Sequence, residues 1–214
     1  MQSGISAAIL AGGLATRMDG ADKASLVVGG MRIIERQLAV LDAVSDDVRI
    51  IANDASRYAD LGRRVIGDAI AGAGPMGGLY TALLDARHDR VIVLACDLPF
   101  VSAALVERLV TEGDDTRAGE EIDAVVPRTT RGLEPLCAVY RTRCAPLVGA
   151  HIARGERRMT ALLANLAVRD VYCDALAPHG DEALFQNVNT PHDYARARDL
   201  VALDEKPSED RITE

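Results

Sequence analysis

Aromatic side chains are nearly missing from this sequence: they make up 3% of its 214 residues, with no Trp and two Phe. That scarcity removes the stacking platforms on which single-stranded nucleic acids are held. It also leaves a core to be packed from Ala, Val, Leu and Ile, which suits helices layered on a sheet. Excess positive charge is lacking too. The 32 acidic residues outnumber the 24 Lys and Arg and give a net charge of −8, which opposes binding to nucleic acid, whose affinity comes from clustered cations on phosphates. A free nucleotide needs only two or three local cations and stays open. The four cysteines, Cys96, Cys137, Cys144 and Cys173, form no CxxC pair and make no zinc set with the four histidines; reduced, buried thiols are expected. His88, His151, His179 and His192 all fall in helix or loop contexts where solvent exposure is expected, so no His-centred acid–base pair stands out. No apolar run approaches the ~20 residues of a membrane span, and Met1-Gln-Ser-Gly4 lacks the basic start of an export signal. A cytoplasmic protein with no membrane contact is expected.

What is present is an alternation of short apolar runs and helical periodicities. Cores begin to split beyond roughly 250 residues, so one domain over 1–204 is expected, with a frayed polar tail over 205–214. Residues 5 to 11 form an apolar run ended by Gly12 and Gly13, a buried strand feeding a loop. Ile34, Leu38, Leu41 and Val44 recur at helical spacing, and Val48 to Ala52 returns to a strand pattern. A strand near Val65, a helix from about Gly77 to Ala86 and the strand Arg90 to Cys96 follow. Ser102 caps a helix to about Val110, and Glu112 to Glu121 is a solvated loop. Strands are expected at Ala124–Val126, Leu136–Tyr140 and Asp170–Cys173, and helices at Cys144–Ala153 and Met159–Leu166. Thr190-Pro191 with Asp193 starts the last helix. The fold class is α/β: a three-layer sandwich around a mostly parallel sheet, with ligands at the C-terminal ends of its strands.

Three segments carry chemistry. Leu10-Ala-Gly-Gly-Leu-Ala-Thr-Arg-Met-Asp-Gly-Ala-Asp-Lys23 follows the first strand. Adjacent glycines let backbone amides approach a phosphate chain, and Arg17 and Lys23 supply countercharge. It is no Walker loop, since Gly-Lys-Ser/Thr is absent; a plain glycine turn with two solvated cations is the alternative. Gly72-Ala-Gly-Pro-Met-Gly77 matches the dinucleotide GxGxxG pattern, with Asp97 twenty residues beyond. The glycines do not directly follow the strand, however, and Pro75 removes an amide donor. A dinucleotide loop of a dehydrogenase stays a competitor; the other reading is that this segment opens the next helix and shapes a base or ribose pocket. Asp97, at the end of a buried strand in Cys96-Asp-Leu-Pro99, suits a magnesium ion, which takes one or two carboxylates plus substrate phosphates; a turn or cap role is the alternative. Asn187 and Asn189, at i and i+2, can point to one side of an extended segment. Asn189 is either a ligand of the same metal or an Asx-turn residue.

Taken in order, Leu10-Ala-Gly-Gly13, Arg17-Met18, Asp22-Lys23, Gly74-Pro-Met-Gly-Gly78, Cys96-Asp-Leu-Pro99, Glu134-Pro-Leu136, Gly155-Glu-Arg-Arg158 and Asn187-Val-Asn-Thr-Pro191 resemble the molybdenum cofactor guanylyltransferases. The resemblance spans Ile5 to about Leu200. It implies a Rossmann-like nucleotidyltransferase that joins GMP from GTP to the phosphate of Mo-molybdopterin, releases pyrophosphate and requires Mg2+. Carried over by position, Leu10, Ala11, Gly12 and Gly13 with Arg17 and Lys23 hold the GTP phosphates, and Asp97 holds the metal. Asn53 and Asp68, with Gly77, form the nucleoside side, and Asn187, Asn189 and Arg157 the catalytic and pterin side. Transient contacts with cofactor-delivery and acceptor proteins go with such a role. Two positions depart from the pattern: Asp19 replaces a Gly after Arg-Met, which puts an acid beside the phosphate loop, and Ser102 replaces a second Pro. A cytidylyltransferase of the same cofactor, a sugar-phosphate nucleotidyltransferase and a non-catalytic nucleotide-binding module are the competing readings. Gly12-Gly13 favours the guanylyl pattern, because cytidylyl relatives tend to read Leu-Ala-Ala-Gly.

Overall fold

A computed structural model describes residues 4–12, 22–114, 121–173 and 181–204. Its first strand, β1 (Ile5–Leu10), is buried along nearly its whole length because it is central in a sheet covered on both faces. A short hairpin, β2 (Val27–Val28) with β3 (Met31–Arg32), leads into α1 (Ile33–Asp42) and β4 (Asp47–Ile51). Then come β5 (Arg64–Ile66), α2 (Gly74–Asp85), β6 (Arg90–Ala95), α3 (Ala103–Asp114), β7 (Ala124–Thr129) and β8 (Gly132–Leu133). The chain ends with β9 (Cys137–Arg141), α4 (Ala145–Ala153), α5 (Met159–Leu163), β10 (Val168–Tyr172), α6 (Asp181–Leu184) and α7 (Pro191–Asp204).

The strands order as β10-β7-β9-β6-β1-β4-β5, with β8 on β7. β5, β4, β1 and β6 run parallel to one another, and β9 runs against both its neighbours. Side chains alternate between two cores. Ala7, Ile9, Ile92 and Leu94 meet Ile34, Leu38 and Leu41 of α1 and Leu105, Val106 and Leu109 of α3. Ala8, Val91 and Val93 meet Met76, Leu79 and Leu83 of α2, Val148 of α4 and Leu162 of α5. The expected three layers are therefore present, with small and branched aliphatics doing the packing that rings do elsewhere.

The register decides where chemistry can sit. Leu10 pairs with Ile51 on one side and Ala95 on the other, and Ile51 pairs with Ile66, so four parallel strands end level. The ladder continues one residue further: Ala11 N donates to Ile51 O at 2.8 Å, Ala52 N to Ile66 O at 2.9 Å and Cys96 N to Leu10 O at 3.2 Å. The loops bearing Gly12, Asn53, Asp68 and Asp97 therefore leave the same edge. Because β9 is reversed, its beginning lies at that edge too, and Ala95 N donates to Leu136 O at 2.7 Å.

Several sequence expectations change. α3 continues to Asp114, past Val110, because Leu109 and its neighbours still face the core; residues 115–120 of the expected loop lie outside the described residues. Ser102 does cap this helix, its Oγ accepting from Leu105 N at 3.2 Å. The thiols of all four cysteines are free and buried. His151 is 5% exposed instead of solvated, because it lies on the packed face of α4. His192 is exposed, whereas His179 and the tail 205–214 lie outside the described residues. No helix among the described residues is long and apolar enough to cross a membrane.

Ile9 is fully buried in the middle of β1. Ile9→Ala is expected to cost about 2–5 kcal/mol of unfolding free energy, read as a lower urea midpoint with little change in slope.

Candidate functional site

At the level edge of the sheet, the end of β1 has α2 beneath it. A Cβ on Gly78 would lie 3.2 Å from Leu10 Cδ2, so glycine there lets the helix approach the strand end. A Cβ on Gly12 would lie 3.4 Å from Asp68 Oδ2, which places the start of the glycine loop directly against that carboxylate. Asp68 is joined to Asn53 twice: Asn53 Nδ2 donates to Asp68 Oδ2 at 3.0 Å, and Asp68 N donates to Asn53 Oδ1 at 2.9 Å. Leu10, Ala11, Gly12, Asn53 and Asp68 thus converge. Gly77 is nearby but buried inside α2, its amide donating to Ala73 O at 3.4 Å; a Cβ there would meet Ala73 Cβ at 2.8 Å. Its glycine serves helix packing. Gly13, Arg17 and Asp19 lie outside the described residues.

Lys23 opens a single 3-10 turn, Lys23–Ser25. Asp22 caps this turn, accepting from Ala24 N at 3.2 Å, Ser25 Oγ at 2.8 Å and the buried Tyr58 hydroxyl at 3.0 Å. With its base anchored, Lys23 sends Nζ to Asn189 Oδ1 and to within 4.0 Å of Asp97 Oδ2. The Lys23 and Asp97 side chains are 21% and 19% exposed, so the pair is only partly screened. Burial raises the Asp97 carboxyl above its ordinary value; Lys23, its own backbone amide and Asn189 pull it back.

The segment before α7 reaches the Asp97 turn through a backbone bond, Val188 N to Asp97 O at 2.9 Å. A reciprocal cap then sets the direction of α7: Asp193 accepts from Asn189 N at 3.1 Å and Thr190 N at 2.8 Å, and Thr190 Oγ1 accepts from Asp193 N at 3.1 Å. Asn189 is in this way an N-terminal capping neighbour and a Lys23 partner together. Arg157 is the outlier. It is exposed, donates to Ile152 O at 2.8 Å beyond the end of α4, and is not part of the Asp97 cluster.

Gln37 of α1 is a participant that sequence reasoning missed. At 1% exposure, its Nε2 donates to Ala95 O at 2.7 Å and Leu98 O at 3.0 Å, spanning the turn that presents Asp97. Arg36 adds a bond to Pro99 O at 3.2 Å. A polar residue on the apolar stripe of a helix was the available signal. Glu134, half-buried before β9, has its carboxyl raised mainly by burial, while Arg131 and Thr129 lower it and Asp97 adds a small rise. Cys96 is not a nucleophile, since burial and Asp97 push its thiol up to about 12.

Among the described residues no group of three or more His, Cys, Asp and Glu could form a protein-only metal cage. One carboxylate and one amide oxygen at Asp97 and Asn189 fit a hard cation that takes its other ligands from phosphates and water. One placed ammonium and one carboxylate at the sheet edge suit neutralisation of a phosphate chain better than acid–base chemistry.

A MobA-like NTP transferase domain model matches residues 7–171. The molybdenum cofactor guanylyltransferase of Desulfosudis oleivorans is 31% identical over 194 residues, 90% of this chain and 94% of that protein. A probable molybdenum cofactor guanylyltransferase of Pelotomaculum thermopropionicum is 35% identical over 191 residues, 89% and 90%. Among solved structures, molybdopterin-guanine dinucleotide biosynthesis protein A of Archaeoglobus fulgidus superposes with a TM-score of 0.76 at 28% identity, covering 92% of this chain and 99% of that one. A CMP:2-keto-3-deoxy-manno-octonic acid synthetase shares the fold at 16% identity, with a TM-score of 0.71.

Because burial disfavours the charged form of Asp97, the folded state holds its proton more tightly than the unfolded chain does. That group's contribution to stability is greatest below the unfolded carboxyl's pKa and is lost as pH rises through the folded value. Asp97→Asn is therefore expected to raise the melting temperature at pH 7 in a chelator, with the gain vanishing near pH 3.

Proposed function

This chain belongs to the MobA-like NTP transferase family, and from that premise we propose that it transfers GMP from GTP to Mo-molybdopterin, forming the guanine dinucleotide cofactor and pyrophosphate. The observation that carries this reading is the meeting of Gly12, Lys23, Asp97 and Asn189 on one sheet edge. A nucleotidyltransferase of this kind works with a divalent metal, for which we propose Mg2+ held by Asp97 with Asn189. When bound, the ion neutralises charge on the triphosphate oxygens.

The acceptor is a phosphate monoester whose second pKa near ~6 leaves it mostly dianionic at neutral pH. No side chain has to take a proton from it, in keeping with a site where, among the described residues, no histidine acts on Asp97 and burial raises the Cys96 thiol. What the residues contribute is alignment and countercharge. Lys23, released from Asn189, turns its ammonium to the phosphates; Gly12 and Gly13 offer amides, and Arg17 a second cation. Asn53 and Asp68 take the nucleoside side, where their mutual hydrogen bonds hold the carboxylate in place. Leu10 and Ala11, at the end of β1, lead into the phosphate loop, and Gly77, in the first turn of α2, belongs to the nucleotide side. Asn187, Asn189 and Arg157 are assigned to the acceptor side. The reaction belongs to the cytoplasm, where proteins that deliver the pterin and receive the finished cofactor make transient contacts.

Pyrophosphate release from GTP or CTP with purified Mo-molybdopterin tests the reading: turnover is expected with GTP, and preference for CTP would assign the chain to the cytidylyl branch instead. Lys23→Ala is expected to lower kcat/KM for GTP by about 10²–10³, and Asp97→Ala to abolish metal-dependent transfer with the far-UV circular dichroism unchanged. Full activity in either variant would remove that residue from the site.

A further inference from the structure

The connection between β4 and β5 begins and ends on the nucleoside side, where Asn53 and Asp68 hold each other by two hydrogen bonds. Its middle is a 3-10 helix, Ala55–Leu61, started by Asp54, which accepts from Ser56 N at 3.1 Å, and ended by Gly62 in a left-handed conformation, φ 61°. One side chain of this helix turns inward. Tyr58 is 1% exposed and joins the core that holds Ile34, Leu38 and Leu41 of α1. Its hydroxyl donates to Asp22 Oδ1 at 3.0 Å. Burial first, and Asp22 second, raise the phenol above its ordinary value, so the hydroxyl keeps its proton and stays a donor to that carboxylate.

This bond differs in kind from the other two that Asp22 accepts. Those from Ala24 N at 3.2 Å and Ser25 Oγ at 2.8 Å lie within the turn and shape it relative to itself. The bond from Tyr58 crosses 36 positions and ties the turn to the packed interior. Lys23, the next residue, sends its ammonium to Asn189 and to within 4.0 Å of Asp97 Oδ2. A point charge on a flexible four-carbon stem reaches one place dependably only when the backbone it starts from is fixed. The same 3-10 helix makes a second tie, Arg32 Nη2 to Asp60 Oδ2 at 2.6 Å, but Asp60 is 58% exposed and an ion pair there holds little.

We propose that Tyr58 is a positioning residue for the phosphate chain: through Asp22, its hydroxyl fixes the turn from which Lys23 meets the triphosphate. The inference rests on the reading of Lys23 as phosphate countercharge, and it does not depend on which base the triphosphate carries. It gives the β4–β5 connection two duties, the nucleoside through Asn53 and Asp68 and the phosphates through Tyr58. A substitution that deletes one buried oxygen is then felt at a ligand which that oxygen never touches.

Tyr58→Phe removes the hydroxyl and keeps the ring, so the core packing is retained. It is expected to raise the KM for GTP, and the Kd for inorganic tripolyphosphate with magnesium, by about fivefold or more, while the acceptor KM stays within about twofold. In a Lys23→Ala background the same change is expected to alter the tripolyphosphate Kd by no more than about twofold, because the hydroxyl acts through that lysine. Asp60→Asn, which cuts the exposed tie of the same helix, is expected to leave that Kd within about twofold. An unchanged Kd in Tyr58→Phe overturns the proposal, as does an equal loss with and without Lys23, or an equal loss in Asp60→Asn. Should the wild type hold tripolyphosphate but form no dinucleotide from GTP, the guanylyl reading falls and the tripolyphosphate measurements still decide Tyr58. A wild type that transfers GMP with Tyr58→Phe indistinguishable from it overturns the role of Tyr58 alone.

Discussion

The level ending of four parallel strands is the constraint from which everything else follows. Leu10, Ile51, Ile66 and Ala95 are neighbours in register, and a one-residue slip in any of them would exchange the two faces of that strand between two separate cores. The packing that forbids the slip is aliphatic and complete, with Ile9, Ile50, Ile92 and Leu94 all fully buried. Hydrophobic burial at mid-sheet thus sets the position of polar groups at the edge to within hydrogen-bonding tolerance. The chemistry needs no dedicated scaffold beyond the core itself.

Holding a carboxylate at that edge has a cost that the fold accepts and partly offsets. Asp97 is poorly solvated, and its charge is supported by Lys23, Asn189 and its own amide. Gln37 reaches across from α1 to hold the carbonyls on both sides of the Cys96–Asp97 turn, leaving its own Oε1 without a partner. An unsatisfied amide oxygen and an under-solvated acid are unfavourable for stability, a pattern that clusters at functional sites.

The sequence made the strand–helix alternation legible because its apolar runs are short, bounded by Gly, Pro or Asp, and separated by helical spacings. Asp97 could be found because it ends the most hydrophobic strand, and Lys23 because it closes the glycine segment. The reversed strand β9 was not legible, because its apolar run looks like the parallel ones. His151 was misplaced because a lone histidine in a helix carries no sign of which face it occupies. The GxGxxG match falls at the start of α2, where Gly77 lies against Ala73 and Gly78 against Leu10.

Lys23 and Asn189 touch although 166 positions separate them along the chain. Synthesis must therefore pass residue 189 before Lys23 and Asn189 can meet, so a chain stopped short of that point folds its first strands without joining the two halves of the candidate site.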